Sequence, residues 1–260
     1  MEEKFYADAC KRIWKGYKLY ASGCGTARKG FECGGQTQPT DENPCSVDRF
    51  VYRGESILEH QAKVAWLFTT FLSNFSDNFG AMYPRLISGL WQYFAVAALT
   101  HDAGESTIGD IPDDGRAEHD TKDGLELDFY NEFVEAYHPR HQGKILDAFV
   151  QFQDKSSIPG QLVYALDKTD FVLTALFLEK HGHHGCIKFK SFPTDRDRYF
   201  MQVTETSVAA DCWAAHLVTI LSELPSTIRG PIMVLIDTAV RDVRGEPFKW
   251  WNKEILPYAS

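Results

Sequence analysis

Residues 99–113 read LTHDAGESTIGDIPD. They place the pair His101-Asp102, then Glu105, then a Gly-Asp-Ile-Pro turn at the end of an apolar segment. One short piece of backbone therefore offers an imidazole nitrogen and a carboxylate oxygen. Such donors suit Zn, Mn, Co, Fe or Mg rather than a thiolate-loving metal. Glu105 lies three residues beyond Asp102. On a continuing helix it shares a face with Asp102, within reach of water at such a metal. Taken alone, the same residues also describe a helix capped at Gly104 with solvated acids beyond it. The partners elsewhere in the chain decide between the two.

Upstream, Pro84 to Thr100 reads as a helix. Leu86, Ile87, Leu90, Trp91, Phe94, Ala95, Val96, Ala98 and Leu99 wrap nearly all of its surface, the pattern of a buried helix. It would deliver His101 and Asp102 from the core, where a carboxylate without a partner is costly. A further helix is expected from Ser56 to Phe75, with Ser56 and Glu59 as a capping box and Val64, Leu67, Phe68, Phe71 and Leu72 as its stripe. His60 sits in its first turn beside Glu59, as a candidate metal ligand or a helix-capping His.

Downstream, helices are expected over Leu125–Tyr137 and Gln142–Phe152, and over Gln161–Lys180, which is mostly apolar. Asp167 and Asp170 share one face of the last, amid Leu162, Val163, Leu166, Phe171 and Val172. Buried carboxylates need partners. Lys168 offers a solvated one, a metal a better one. Thr204–Leu224 and Pro231–Val243 complete the helical segments, and residues 2–20 form one at the start. There is no strand pattern, repeat or linker. The expected fold is all-α, a helical bundle around a buried metal site, with 1–260 as one domain. Its core covers about 48–180, residues 21–47 form a loop insert, and 181–260 form a C-terminal helical extension.

Composition bounds the partners. The 260 residues are 44% apolar and carry a net charge of −9. A sizeable core is affordable, and non-specific binding to a nucleic-acid polymer or an anionic membrane is disfavoured. No apolar run approaches the ~20 residues that span a bilayer. The N-terminus lacks a signal-peptide core, so a cytoplasmic protein with reduced cysteines is expected. Cys24, Cys33 and Cys45 lie in the insert, which holds five glycines and two prolines. They read as loop thiols rather than a zinc site, and His181, His183 and His184 as an exposed turn.

The order His60, His101-Asp102, Asp167 resembles the H…HD…D signature of the HD-domain metal-dependent phosphohydrolase superfamily, over roughly Asp48 to Glu179. HDAGESTIGDIP is similar to the H-D-x-x-E-x-x-x-G-D-[IL]-P segment of its 5′-deoxynucleotidase branch. ESILEHQAKVAWL resembles that branch's first helix, and LVYALDKTD the segment with its last ligand. The resemblance implies one divalent metal (Mn, Co, Mg, Zn or Fe) on His60, His101, Asp102 and Asp167. Asp102 and Glu105 would form the catalytic apparatus, with Glu105 orienting or activating the attacking water. Asp110 would meet the sugar, while Phe50, Arg53 and Arg49 hold the nucleotide. The implied reaction is hydrolysis of a (deoxy)nucleoside 5′-monophosphate to nucleoside and phosphate. Many relatives are homodimers, and the aromatic C-terminus offers a surface for that.

Two departures concern the substrate. Arg53 stands closer to His60 than is usual, and Asp113 replaces a small hydroxyl residue. Three alternatives accompany this reading. A two-metal HD phosphodiesterase or oxygenase would recruit His119, His138 or His141. A tri- or pyrophosphohydrolase would need cations such as Lys144, Lys155 and Arg116. A metal-binding module without turnover would keep the ligands but not need Glu105.

Overall fold

The computed structural model describes residues 7, 10, 11, 13–15, 57–82, 89, 91–102, 116–180 and 209–247. Among them there is no strand, and the all-α expectation holds. Residues 7, 10, 11 and 13–15 are helical, and these helices follow: α1 (Ile57–Met82), α2 (Trp91–Thr100), α3 (Arg116–Phe133), α4 (Pro139–Gln153), α5 (Ile158–Lys180), α6 (Ala209–Glu223) and α7 (Ser226–Arg244). A 3-10 turn, Val134–Ala136, follows α3. The chain divides into two compact units. Residues 57–167 form one, and residues 1–56 with 168–260 form the other, so α5 is divided between them. None of the described helices is long and apolar enough to cross a membrane.

In the unit of residues 57–167, α1 buries His60, Val64, Leu67, Phe68, Phe71 and Phe75. This spacing of three and four makes one stripe, and His60 is its first member. Burial of the stripe is therefore what places the imidazole inside. The expected end at Phe75 coincides with a kink, where φ is −120° and ψ is 18°. The helix resumes beyond it to Met82.

Helix α2 packs against α1 and α4. It buries Tyr93, Phe94, Ala97, Ala98 and Thr100. The expectation of an all-round buried helix is corrected here: Trp91 is 42% and Leu99 41% exposed. Its apolar residues outnumber the positions that face neighbours, and a folded surface always retains apolar atoms.

Several helix boundaries also differ from those expected. Helix α3 starts at Arg116 and ends at Phe133, and Glu126 and Tyr130, four residues apart, are buried in its second half. Helix α4 starts at Pro139, in the first-turn position that proline favours. His138 is its N-cap, with Nδ1 accepting from the Arg140 N–H at 3.3 Å. His138 and His141 are thus a cap and a helical residue, not loop residues.

Helix α5 approaches α4 closely at Gly160. A Cβ there would lie 2.1 Å from the Gln151 carbonyl oxygen. Only glycine allows this crossing, and seven residues further along α5 comes Asp167.

In the other unit, Arg244 of α7 forms a two-pronged pair with Glu179 (2.6 and 2.8 Å) and another with Asp211 (2.7 and 3.2 Å). Asp242 accepts from the Trp14 indole at 2.8 Å and from Lys180 at 2.6 Å. Phe171 stacks on Trp213 at 4.5 Å. Helix α7 begins five residues before the expected Pro231, which sits inside it. It ends on Gly245 at φ +79°, a left-handed cap donating to the Arg241 carbonyl.

Candidate metal centre

Helix α1 brings His60, the end of α2 brings His101 and Asp102, and α5 brings Asp167. All four belong to the unit of residues 57–167. Ligand atoms of His60, His101 and Asp102 lie within 4.8 Å of one another. Asp167 Oδ1 lies 2.9 Å from His60 Nε2 and 3.5 Å from His101 Nε2. Asp102 Oδ2 lies 3.5 Å from His60 Nε2 and 3.2 Å from His101 Nε2. Two imidazole nitrogens and two carboxylates from three helices therefore face one point. Both His side chains and Asp167 are buried, whereas Asp102 is 22% exposed. Among the four, solvent reaches the cluster at Asp102.

His101 tests whether a cation fits. Its Nδ1 is 2.9 Å from the Ala98 carbonyl oxygen. A carbonyl cannot donate, so Nδ1 carries the hydrogen, and a neutral ring presents its lone pair at Nε2. That nitrogen is buried and makes no well-directed hydrogen bond, although two carboxylates lie beside it. A lone pair facing two anions is unstable without positive charge between them. Burial by itself lowers the His101 pKa, but the charge of Asp102, together with that of Asp167, outweighs it and pushes the pKa up to about 10. Burial likewise opposes ionisation of Asp102, and the neighbouring His101 charge overcomes it, holding Asp102 well below the usual carboxylate range. The cluster calls for positive charge. A proton on Nε2 supplies it from a poor angle, and a divalent cation among the four atoms supplies it to all of them. The donor set is of the N/O type such ions accept.

The surroundings fix ring positions. His60 and His101 meet edge to face at 5.1 Å, and Phe152 of α4 lies against His101 at 5.5 Å. Thr100, just before His101, bonds to the Val96 carbonyl (2.7 Å) and to the Tyr130 hydroxyl (2.6 Å). The expected helix over Leu125–Tyr137 gave no sign of this contact, which no local pattern announces.

Glu105, Asp110, Phe50, Arg49, Arg53 and Asp113 lie outside the described residues, as do the three cysteines of the insert and the HGHHG segment. The side chain of His119 is also outside them. His141 lies at the Tyr93 end of α2, with Nδ1 3.0 Å from the Tyr93 hydroxyl. Tyr93 precedes His101 by eight residues, about 12 Å along a helix. His141 Nε2 accepts from Arg140 Nε at 2.8 Å. Partial burial, then the charges of Arg140, His138 and Lys144, hold its pKa below the ordinary value. Asp170 is also buried.

A family model described as HD domain matches residues 46–221. The match covers well over half of the chain, and the chain belongs to the HD-domain family. Searches of curated proteins and of solved structures gave no match. HD domains are, as a class, metal-dependent phosphohydrolases that bind divalent ions, in accord with the cluster on α1, α2 and α5.

Proposed function

We propose that this protein is an HD-domain phosphomonoesterase that hydrolyses (deoxy)nucleoside 5′-monophosphates, with one divalent metal on His60, His101, Asp102 and Asp167. The observation that carries the metal centre is the convergence of His60 Nε2, His101 Nε2 and the two carboxylates. The likeness of HDAGESTIGDIP to the 5′-deoxynucleotidase branch supports the substrate class. The separation of His141 from His101 supports a single-metal reading.

When bound, a divalent ion supplies Lewis acidity, polarising a phosphoryl oxygen and acidifying water. The chain's own residues do the rest. His60 and His101 hold the ion through neutral ring nitrogens, and the Ala98 carbonyl keeps His101 in the required tautomer. Asp102 and Asp167 balance the ion's charge. Glu105, three residues past Asp102, takes a proton from the attacking water. The new bond joins that water oxygen to phosphorus, the bond to the sugar 5′ oxygen breaks, and a proton goes to the departing oxygen. Arg53 and Arg49 pair with the remaining phosphate oxygens in fork geometry. Phe50 stacks on the base, and Asp110 accepts from a sugar hydroxyl. The protein acts in the cytoplasm on small nucleotides, as a homodimer.

The test is phosphate release from a panel of deoxy- and ribonucleoside mono-, di- and triphosphates, using chelator-stripped protein given Mn, Co, Mg or Zn in turn. Metal-dependent release confined to monophosphates is expected. Release from triphosphates alone, or none with any metal, overturns the reading.

A further inference from the structure

The last turn of α2 carries both His101 and Asp102, and helix ends have carbonyls with no backbone partner. Here a side chain supplies one: the Ala98 carbonyl accepts from His101 Nδ1. The Val96 carbonyl, one position before those four, accepts from Thr100 Oγ1 as a back-bond to the preceding turn. Thr100 has one hydroxyl hydrogen, and the Val96 carbonyl takes it. The 2.6 Å bond between Thr100 Oγ1 and the Tyr130 hydroxyl must then have Tyr130 as donor. Its hydrogens thus run in one direction: from Tyr130 O–H to Thr100 Oγ1, and from Thr100 O–H to the Val96 carbonyl.

We propose that Tyr130 is a positioning residue for the metal centre, tethering α3 through Thr100 to the turn that projects His101 and Asp102. This inference rests on the metal-centre reading above. Tyr130 is fully buried, with its ring stacked on Phe149. Burial pushes its pKa up, so the phenol stays protonated and able to donate. Thr100 is adjacent in sequence to His101, so fixing its hydroxyl on both sides fixes the peptide that leads into the ligand pair. Two carboxylates and two imidazoles face one point there, and a frame must hold the carboxylates together against their repulsion. A second route joins the same residues, since Phe149 lies 6.3 Å from Phe152, whose ring meets His101. Tyr130→Phe removes the hydroxyl and keeps the ring, and so isolates the first route.

The experiment titrates Co(II) into the stripped full-length chain and follows its visible absorption, for wild type, Tyr130→Phe, Thr100→Val, the double variant and Thr100→Ser. Tyr130→Phe and Thr100→Val should each weaken Co(II) binding by about ten- to a hundredfold, the range for partners that orient metal ligands, and should alter the absorption bands. Thr100→Ser keeps the hydroxyl and should restore both. The double variant should bind no more weakly than the poorer single, because the two groups form one connection. Wild-type affinity and spectrum in Tyr130→Phe, or losses that multiply in the double variant, overturn the proposal. Should Tyr130→Phe fail to fold, the contrast between Thr100→Val and Thr100→Ser decides alone, and equal behaviour of those two overturns it. Wild-type protein that binds no Co(II), or His101→Ala that binds it undiminished, overturns the metal centre itself and this inference with it.

Discussion

Lowering the pH should expel the divalent ion, because proton and metal compete for His101 Nε2. Without metal, the neighbouring carboxylates raise the His101 pKa to about 10, so at neutral pH the ring holds a proton that an incoming ion must displace. The gap between about 10 and pH 7 corresponds to roughly 4 kcal/mol, or an apparent affinity about a thousandfold below that of the deprotonated site. Binding should tighten about tenfold per pH unit, hence about a hundredfold between pH 6.5 and 8.5, with about one proton released per ion. The assay is Co(II) titration against a competing chelator across that range. Repeating it by calorimetry in buffers of different ionisation enthalpy counts the protons. A dissociation constant flat within threefold, with no buffer dependence of the heat, would refute the reasoning.

The same shift has a signed consequence for the stripped protein. A raised pKa stabilises the fold fully below the unfolded value of 6.5 and loses that contribution as pH rises through about 10. Chelator-treated protein should therefore melt at a lower temperature above pH 10 than at pH 6. The depressed pKa of Asp102 belongs to the same ion pair and is not a separate contribution. Its effect is present above the ordinary Asp value and is lost as the pH falls through the folded one.

Three further outcomes are expected. Gly160→Ala would drive a Cβ to 2.1 Å from the Gln151 carbonyl oxygen. It should cost about 1–3 kcal/mol and lower Tm, and metal affinity should fall because Phe152 and Asp167 lie on either side of the displaced crossing. An unchanged Tm would contradict that packing. Glu105→Gln should reduce kcat by at least about a hundredfold while leaving metal content and circular dichroism intact; retained turnover would remove Glu105 from the mechanism. Arg244→Met would leave the carboxylates of Glu179 and Asp211 facing each other without their guanidinium. Both are partly solvated, so a loss of about 1–3 kcal/mol is expected in denaturant unfolding; no loss would show that the clamp contributes nothing net.

Helical patterns made His60, His101, Asp102 and Asp167 candidates, and the resemblance to the H…HD…D signature singled them out as a ligand set. His60 opens the row of Val64, Leu67 and Phe68, and the same periodicity that buries the row buries the imidazole. Asp167 was a candidate for a related reason: a carboxylate amid the core residues of a mostly apolar helix needs a partner. Periodicity served less well on α2, where Trp91 and Leu99 are apolar yet exposed, because hydrophobic residues need not all find a neighbour. His138 and His141 looked like loop residues around a proline. Pro139 in fact starts a helix, and proline disrupts helices only beyond the first turn.

By itself, then, the sequence determined which residues can bind a cation and which helices carry them, since residue type and helical spacing are local properties of the chain. Only the tertiary structure decided that His60, His101, Asp102 and Asp167 meet at one point. It alone decided that the Ala98 carbonyl sets the His101 tautomer at the end of α2, that Tyr130 reaches Thr100, and that Gly160 lets the start of α5 meet the end of α4. The last two join residues from different helices, and packing between helices, which no periodicity records, selects them.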